Sequence, residues 1–359
     1  VAIRSGTLLL GRQLRAAVGR EADNATRKLA AAWVKAWDLL SADMEAAVLA
    51  ALTLGGQLGR WPSAYELRRI PRLTQALLNA QSALVNLGTR AGVTITDAAG
   101  LAVKATVAAE PFLIASQLPA AMREEAALRY AANIPPSALD VIVARTSQQI
   151  TSTLKPLSAD AVDAMNRELV RGVVLGTGPR QAGAQMLTGL ENGFNGGLDR
   201  AVNVARTEII GAYRETSMYA HQSNADVLRG WLWLCTLSPR TCSSCLAMNG
   251  REFPLSASGP DDHQQGRCTR MPLTRSWADL GIDIPEPAST IPDARAWFAE
   301  QPAETQRQIL GAGRLDLLKS SAISWDDIPQ LRPNPNWRQS YAPRSLADLR
   351  NVAKAKANG

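Results

Sequence analysis

The sequence predicts a mainly α-helical protein: long N-terminal helices, a helical core with a small β-hairpin and a Cys/His knuckle, and a helical C-terminal tail. Three observations lead to that class. Apolar residues recur at steps of three and four through much of the first 157 residues, the period of a helix with one buried face. The period switches to alternation in "RGWLWLC" at 229–235, the pattern of a strand. Three of the four cysteines and one of the two histidines fall within residues 240–268, a concentration that points to a shared ligand.

Composition sets the outer limits. A chain of 359 residues is long enough for two or three domains and for a hydrophobic core without disulfide support. Hydrophobic residues at 46% and charged residues at 20% are globular values, not disordered ones. The net charge of +7 favours contact with nucleic acid or an acidic surface. No block of five or more basic residues exists, so ordinary solvated faces account for the charge equally well. Four cysteines are too few for a disulfide framework, and a reducing site of synthesis is expected. The opening "VAIRSGTLLLGRQLRAAVG" has no small-residue cleavage site after a long apolar run, so no signal peptide is expected. No uninterrupted run of about 18 apolar residues occurs, so no membrane span is expected.

The elements follow in order. Leu29, Trp33, Trp37, Leu40, Met44, Val48 and Leu52 share one face of a long helix that Gly55-Gly56 should end. The two tryptophans share a stripe with Leu and Met, which reads as core rather than as a partner-binding face. Ser63 and Glu66 form a capping box for a helix expected to reach Leu87, with a kink at Pro71 and Gly88 just past its end. Thr96 or Asp97 caps the next helix, which should finish before Pro111. Pro119 suits the first turn of "PAAMREEAALRYAA", and Pro135-Pro136 break the chain before another helix. Beyond 158, helices are expected near 159–175, 179–190 and 197–222, with "GTGPR" as a turn and "NGFNGG" as a loop. Val202, Ala205, Ile209, Ala212, Tyr213 and Thr216 make the buried face of the third. Arg206 and Glu208 sit off that face as solvated groups, and at two residues apart they cannot pair. "REFPL" is the second strand of a hairpin with "RGWLWLC", the knuckle lying at its turn. From Pro272 the chain should return to helices near 293–300, 302–320 and 344–355, with "RPNPNW" as a surface linker. Three segments result: 1–157, 158–280 and 281–359.

The knuckle has the spacing C-x2-C-x17-H-x4-C, made by Cys242, Cys245, His263 and Cys268. A C-x2-C turn sets two thiolates on one side, and a second pair closes a tetrahedron. Zinc accepts three sulfurs and one nitrogen, and four protein ligands leave no position for water, so such a site is structural. A disulfide from Cys242 or Cys245 to Cys268, or free thiols, are the alternatives. Cys235 reads as a small core residue. His221, near a helix end, reads as a cap or surface group, and Asp261-Asp262 as solvated acids. No nucleophile triad and no phosphate-binding loop is legible, so no enzymatic activity is expected.

The motif order resembles the Mu-type phage head morphogenesis family of minor head proteins. Ala205, Arg206, Thr207 and Glu208 match its Ala-Arg-Thr-Glu helix, and Trp231 or Trp233 its Trp strand. Thr241, Cys242, Cys245 and Gly250 match its Thr-Cys-x-x-Cys turn and following Gly, and His263, Arg267, Cys268 and Pro272 most of its last element. The stretch "WFAEQPAETQRQILGAGRLDLLKSSAISWDDI" also resembles a segment that recurs in minor head proteins, so the likeness covers about 158–330. Two positions depart: Ser238 stands where the family often has Asp, and Gly266 where it often has an additional cysteine. The resemblance implies a low-copy virion protein, made in the host cytoplasm and located at the portal vertex or in the head interior. It implies a role in head assembly and in DNA packaging or delivery, with portal protein and other head proteins as partners. Non-specific phosphate contacts with packaged double-stranded DNA suit the basic chain. The alternative is a zinc-knuckle regulatory protein that binds nucleic acid through Arg251, Arg267, Arg270 and Arg275.

Overall fold

The structure, a computed structural model, describes residues 3–60, 62–134, 136–155, 157–171, 179–334 and 337–357. It is mainly helical, with a small antiparallel sheet and the Cys/His cluster beside it. Among the described residues, seven α-helices come first: α1 Ser5–Leu58, α2 Ala64–Leu67, α3 Pro71–Ala115, α4 Arg123–Ala132, α5 Pro136–Leu154, α6 Leu157–Arg171 and α7 Pro179–Ser223. The sheet region holds β1 Leu228–Leu234, α8 Ser243–Met248, β2 Glu252–Phe253 and β3 Thr269–Thr274. The tail holds α9 Ala294–Ala299, α10 Ala303–Leu310, α11 Ala312–Lys319, β4 Pro329–Arg332, β5 Ser340–Pro343 and α12 Leu346–Ala357.

Several expected breaks are not breaks. The α1 helix passes through Gly55-Gly56 and ends before Gly59, whose φ is +65°. The Ser63–Glu66 box does form, with Glu66 N–H donating to Ser63 Oγ at 3.3 Å and Ser63 N–H to Glu66 Oε2 at 2.7 Å. It caps only the short α2, and Pro71 opens α3 instead of kinking a longer helix. The α3 helix then runs through Gly88, through the proposed caps Thr96 and Asp97, and through Pro111. Each helical Gly costs about 0.5–1 kcal/mol against Ala, and an interior Pro about 3 kcal/mol. Burial of Leu84, Leu87, Ala91, Ile95, Ala99, Ile114 and other residues along α3 outweighs them. Both α1 and α3 are long and apolar enough to cross a bilayer by length and composition alone, and 56% of the apolar window in α3 is buried within the protein.

The chain forms two compact units that interleave in sequence, so neither coincides with the segments 1–157, 158–280 and 281–359. The second comprises Glu21–Ala98 and Arg145–Glu208 and contains no strand among its described residues. Its core includes Trp33, Met44, Leu84, Ile150 and Phe194, with Trp37 against Phe194 at 5.3 Å between ring centroids. "NGFNGG" is not a loop: α7 is continuous through it, and the expected helices 179–190 and 197–222 are one. "GTGPR" lies mostly outside the described residues. Two of its three glycines serve close packing. A Cβ on Gly193 would meet Met165 N at 2.9 Å, and one on Gly197 would meet Leu157 Cδ2 at 3.2 Å. A Cβ on exposed Gly196 meets nothing. Gly196→Ala should therefore stabilise by up to about 1 kcal/mol, and Gly193→Ala should destabilise by about 1–3 kcal/mol. Urea denaturation of the two variants checks the opposite signs. Arg206 is not merely solvated, since it pairs with Asp23 at 2.8 Å, and Glu208 is fully buried.

The first unit comprises Val1–Arg20, Ala99–Ala144 and Ile209–Gly359. Its sheet has the order β2-β1-β3, all antiparallel, with Trp231 opposite Phe253 and Pro272, and Trp233 opposite Arg270. Strand β3 is a correction, because helices were expected from Pro272 onward. Its edge position tolerates the proline's missing N–H. Alternation gives the sheet two buried faces. Trp231, Trp233 and Cys235 join Cys245 and Cys268 on one, while Leu232, Leu234, Met271 and Leu273 pack with Ile3, Leu8 and Leu113 on the other. The tail shares the first of these cores through Phe298, Leu310, Leu315, Ile328 and Leu349. The expected 302–320 helix is two, parted at Gly311 with φ +74°. Of "RPNPNW", Arg332 ends β4, whose pairing with β5 runs from Pro329–Pro343 to Arg332–Ser340, while Pro335 and Asn336 lie outside the described residues.

His221 is no surface group. It is fully buried between Glu110 Oε2, 3.1 Å from its Nε2, and Arg270 Nε, 3.1 Å from its Nδ1. The arginine must donate, so Nδ1 accepts and the neutral ring donates through Nε2. Burial is the largest cause of a pKa lowered from the ordinary 6.5, outweighing the attraction of Glu110, and Arg270 lowers it further. The unfolded chain therefore takes a proton that the folded chain refuses. This contribution to stability is full above pH 6.5 and is lost as pH falls through the lowered folded value. A thermal midpoint that drops on acidification below pH 6.5, with a shallower drop in His221→Gln, is the expected result.

Candidate metal centre

The first half of the centre is built from the turn after β1. Thr241 is buried, and its hydroxyl bonds the Thr236 carbonyl and accepts from Ser238 N–H. That fold-back places Cys242 as the N-cap of α8, where its Sγ accepts from Cys245 N–H at 3.3 Å. Asn249 and Gly250, the latter with φ +83°, return the chain to β1: Asn249 Oδ1 accepts from Cys235 N–H at 2.9 Å, and Gly250 N–H donates to Trp233 O at 2.8 Å.

The second half is the loop before β3, and α7 holds it. Arg214 donates to both oxygens of Asp262 at 2.6 and 2.7 Å, and to the Cys268 carbonyl at 2.7 Å. Asp262 Oδ2 in turn accepts from Cys268 N–H at 3.0 Å. Asp262 is thus a buried anchor, not a solvated acid. Burial alone lowers the Arg214 pKa, but the Asp262 charge and hydrogen bonds, with Cys268, leave it raised. Gly266 leaves no room for a side chain: a Cβ at that position would lie 2.0 Å from Asp262 Oδ2.

The predicted ligands are brought together. Donor atoms of Cys242, Cys245 and His263 lie within 4.8 Å of one another, as do those of Cys245, Asp262 and Cys268. Cys245 belongs to both sets. The cluster can bind a metal, and no disulfide is at bonding distance, because all four cysteines are free. The donor chemistry fits a soft, four-coordinate ion such as zinc. Asp262 is an unsuitable fourth ligand, since its oxygens already hold Arg214 and Cys268 N–H. That leaves His263, which is exposed and completes the outer edge, while Cys245 and Cys268 are buried and Cys242 is half-buried. The hydrogen bond with Cys245, then His263, brings the Cys242 pKa down to about 5 against the effect of burial. Its hydrogen bond to Cys242 brings His263 up to about 9. Hydrogen bonds to Cys242 and Cys268 raise Cys245, as does burial.

The remaining singled-out residues divide. Trp231 and Trp233 are core, with Trp231 stacked on Phe253 at 4.5 Å. Arg206, Thr207 and Glu208 belong to the second unit. The four-arginine patch is corrected. Arg270 is fully buried, lies 4.4 Å over the Trp231 ring and donates to the Ala257 and Leu255 carbonyls, so it cannot contact nucleic acid. Arg251 pairs with Asp326 at 2.6 Å, which leaves Arg267 and Arg275 as the exposed members. Arg214 and the anchoring role of Asp262 carried no sequence signal, because their pairing spans 48 residues. No protein-family profile, curated protein or solved structure matches the chain.

Proposed function

We propose that the chain is a minor head protein of a tailed phage, with one structural zinc held by Cys242, Cys245, His263 and Cys268. The order of motifs carries this reading: an Ala-Arg-Thr-Glu helix, a Trp strand, a Thr-Cys-x-x-Cys turn and a late His-x4-Cys followed by Pro. In the chain they fall on α7, β1, the start of α8, and the loop entering β3. Zinc, once bound, joins the Cys242–Cys245 turn to the His263–Cys268 loop as a cross-link without an open coordination position. The protein then acts by assembly, at the portal vertex or inside the head, with portal and other head proteins as partners. The net charge of +7 supports non-specific contact with packaged DNA.

The test is made in virions of the phage that carries the gene, with the intact chain. A cut at 157/158 would remove parts of the first unit, which includes Val1–Arg20 and Ala99–Ala144. A few copies per purified head, and heads that assemble or package poorly without the chain, are expected. Its absence from purified heads, with normal packaging in the deletion, would overturn the reading.

A further inference from the structure

The two halves of the centre have different anchors and meet through the β1–β3 ladder, where Leu234 pairs with Thr269. The Cys242–Cys245 half hangs on β1 and α8, whereas the Asp262–Cys268 half hangs on Arg214. The C-terminal tail touches both. On the second half, Tyr341 N–H donates to the Asp261 carbonyl at 2.6 Å and Gln339 Nε2 donates to Asp261 Oδ2 at 2.7 Å, two residues before the ligand His263. On the first half, the Tyr341 ring meets Trp233 edge-on at 5.7 Å between centroids, Arg251 pairs with Asp326, and Asn249 Nδ2 donates to the Pro292 carbonyl at 3.3 Å. The tail therefore spans the same two halves that a bound metal would join.

We infer that metal occupancy of the Cys242/Cys245/His263/Cys268 centre controls docking of the C-terminal tail, with Asp261 as the catch that Gln339 and Tyr341 engage. The inference rests on the metal reading above. With the metal bound, both contact surfaces of the tail are fixed in register. Without it, the loop carrying Asp261 keeps its tie to β1 through the β1–β3 ladder but loses the cross-link at the ligands, so its hold on Gln339 and Tyr341 weakens. Coupling of this kind is reciprocal, so the docked tail tightens the metal by the factor that the metal tightens the tail. The consequence is a device in which loss of the metal frees the β4–β5 region and bares the apolar surface around Trp233, Phe298 and Ile328.

The experiment uses the full chain, first assayed for zinc content, then compared zinc-loaded and chelator-stripped by hydrogen–deuterium exchange and limited trypsin digestion. The Tyr341 amide should lose at least ten-fold of its protection on stripping, and cleavage after the exposed Arg338 should accelerate, while β1–β3 ladder amides stay protected. The combined variant Gln339→Ala, Tyr341→Ala should still take up one zinc, but with an affinity lowered by the factor measured for tail release. One zinc per chain with unchanged Tyr341 protection on stripping would overturn the coupling and leave the metal centre standing. An unchanged zinc affinity in the double variant would overturn it as well. A chain that takes up no zinc would overturn the metal reading and the coupling together.

Discussion

Cys245→Ser is expected to abolish metal binding and to destabilise the first unit by more than about 4 kcal/mol, the range reached when a structural metal is lost. Cys245 is singled out because it belongs to both ligand sets and is only 3% exposed. A hydroxyl there is a poor ligand for a soft ion and stays buried without the metal. Cys235→Ser is the matched control. It is equally a buried cysteine, on the same core face, but belongs to neither ligand set. It should keep the metal and lose only about 1–3 kcal/mol for the buried hydroxyl. Metal content and guanidinium denaturation of the two variants separate the loss of a ligand from the loss of a thiol.

Arg214→Met should cost about 3–5 kcal/mol, the penalty for leaving one member of a buried ion pair without its partner. The Asp262 side chain is 0% exposed, so water cannot take over from the guanidinium. The Cys268 carbonyl also loses its donor. Two features distinguish this from a surface salt bridge. The loss should hardly change between low and high salt, since buried pairs are weakly screened. Restoring charge balance with Asp262→Leu on top of Arg214→Met should recover much of it. Urea midpoints of the single and double variants at two ionic strengths provide the check. A double variant no better than the single would mean that the arginine acts through its backbone contacts instead.

What the sequence made legible was local. The C-x2-C turn, the alternation around Trp231 and Trp233, and the 3–4 stripe through Trp33 all depend on neighbours within a few residues, and each formed as read. What it hid was long-range. "NGFNGG" has the composition of a turn, yet it is helical, and two of its glycines, Gly193 and Gly197, sit where Met165 and Leu157 approach from elsewhere in the chain. The β3 strand, with Pro272 inside it, stands where helices were expected, because its pairing with β1 spans about forty residues of chain and its edge position spares Pro272 a ladder N–H. Arg270 looked like one basic residue among several, but a strand position opposite Trp233 buries it against Trp231. His221 looked peripheral because its partners Glu110 and Arg270 are 111 and 49 residues away. The four clustered side chains were visible in the spacing, with metal, disulfide and free thiols all open, whereas the Arg214–Asp262 clamp beside them was not.

Elemental analysis of the purified full-length chain, paired with thiol counting in denaturant, tests the metal centre most directly. One zinc per chain with all four thiols countable, and no zinc in Cys268→Ser, is the expected result. Four countable thiols without any metal, or only two thiols, would contradict a metal-closed knuckle and leave the two halves joined by the β1–β3 ladder and packing, without or with a disulfide.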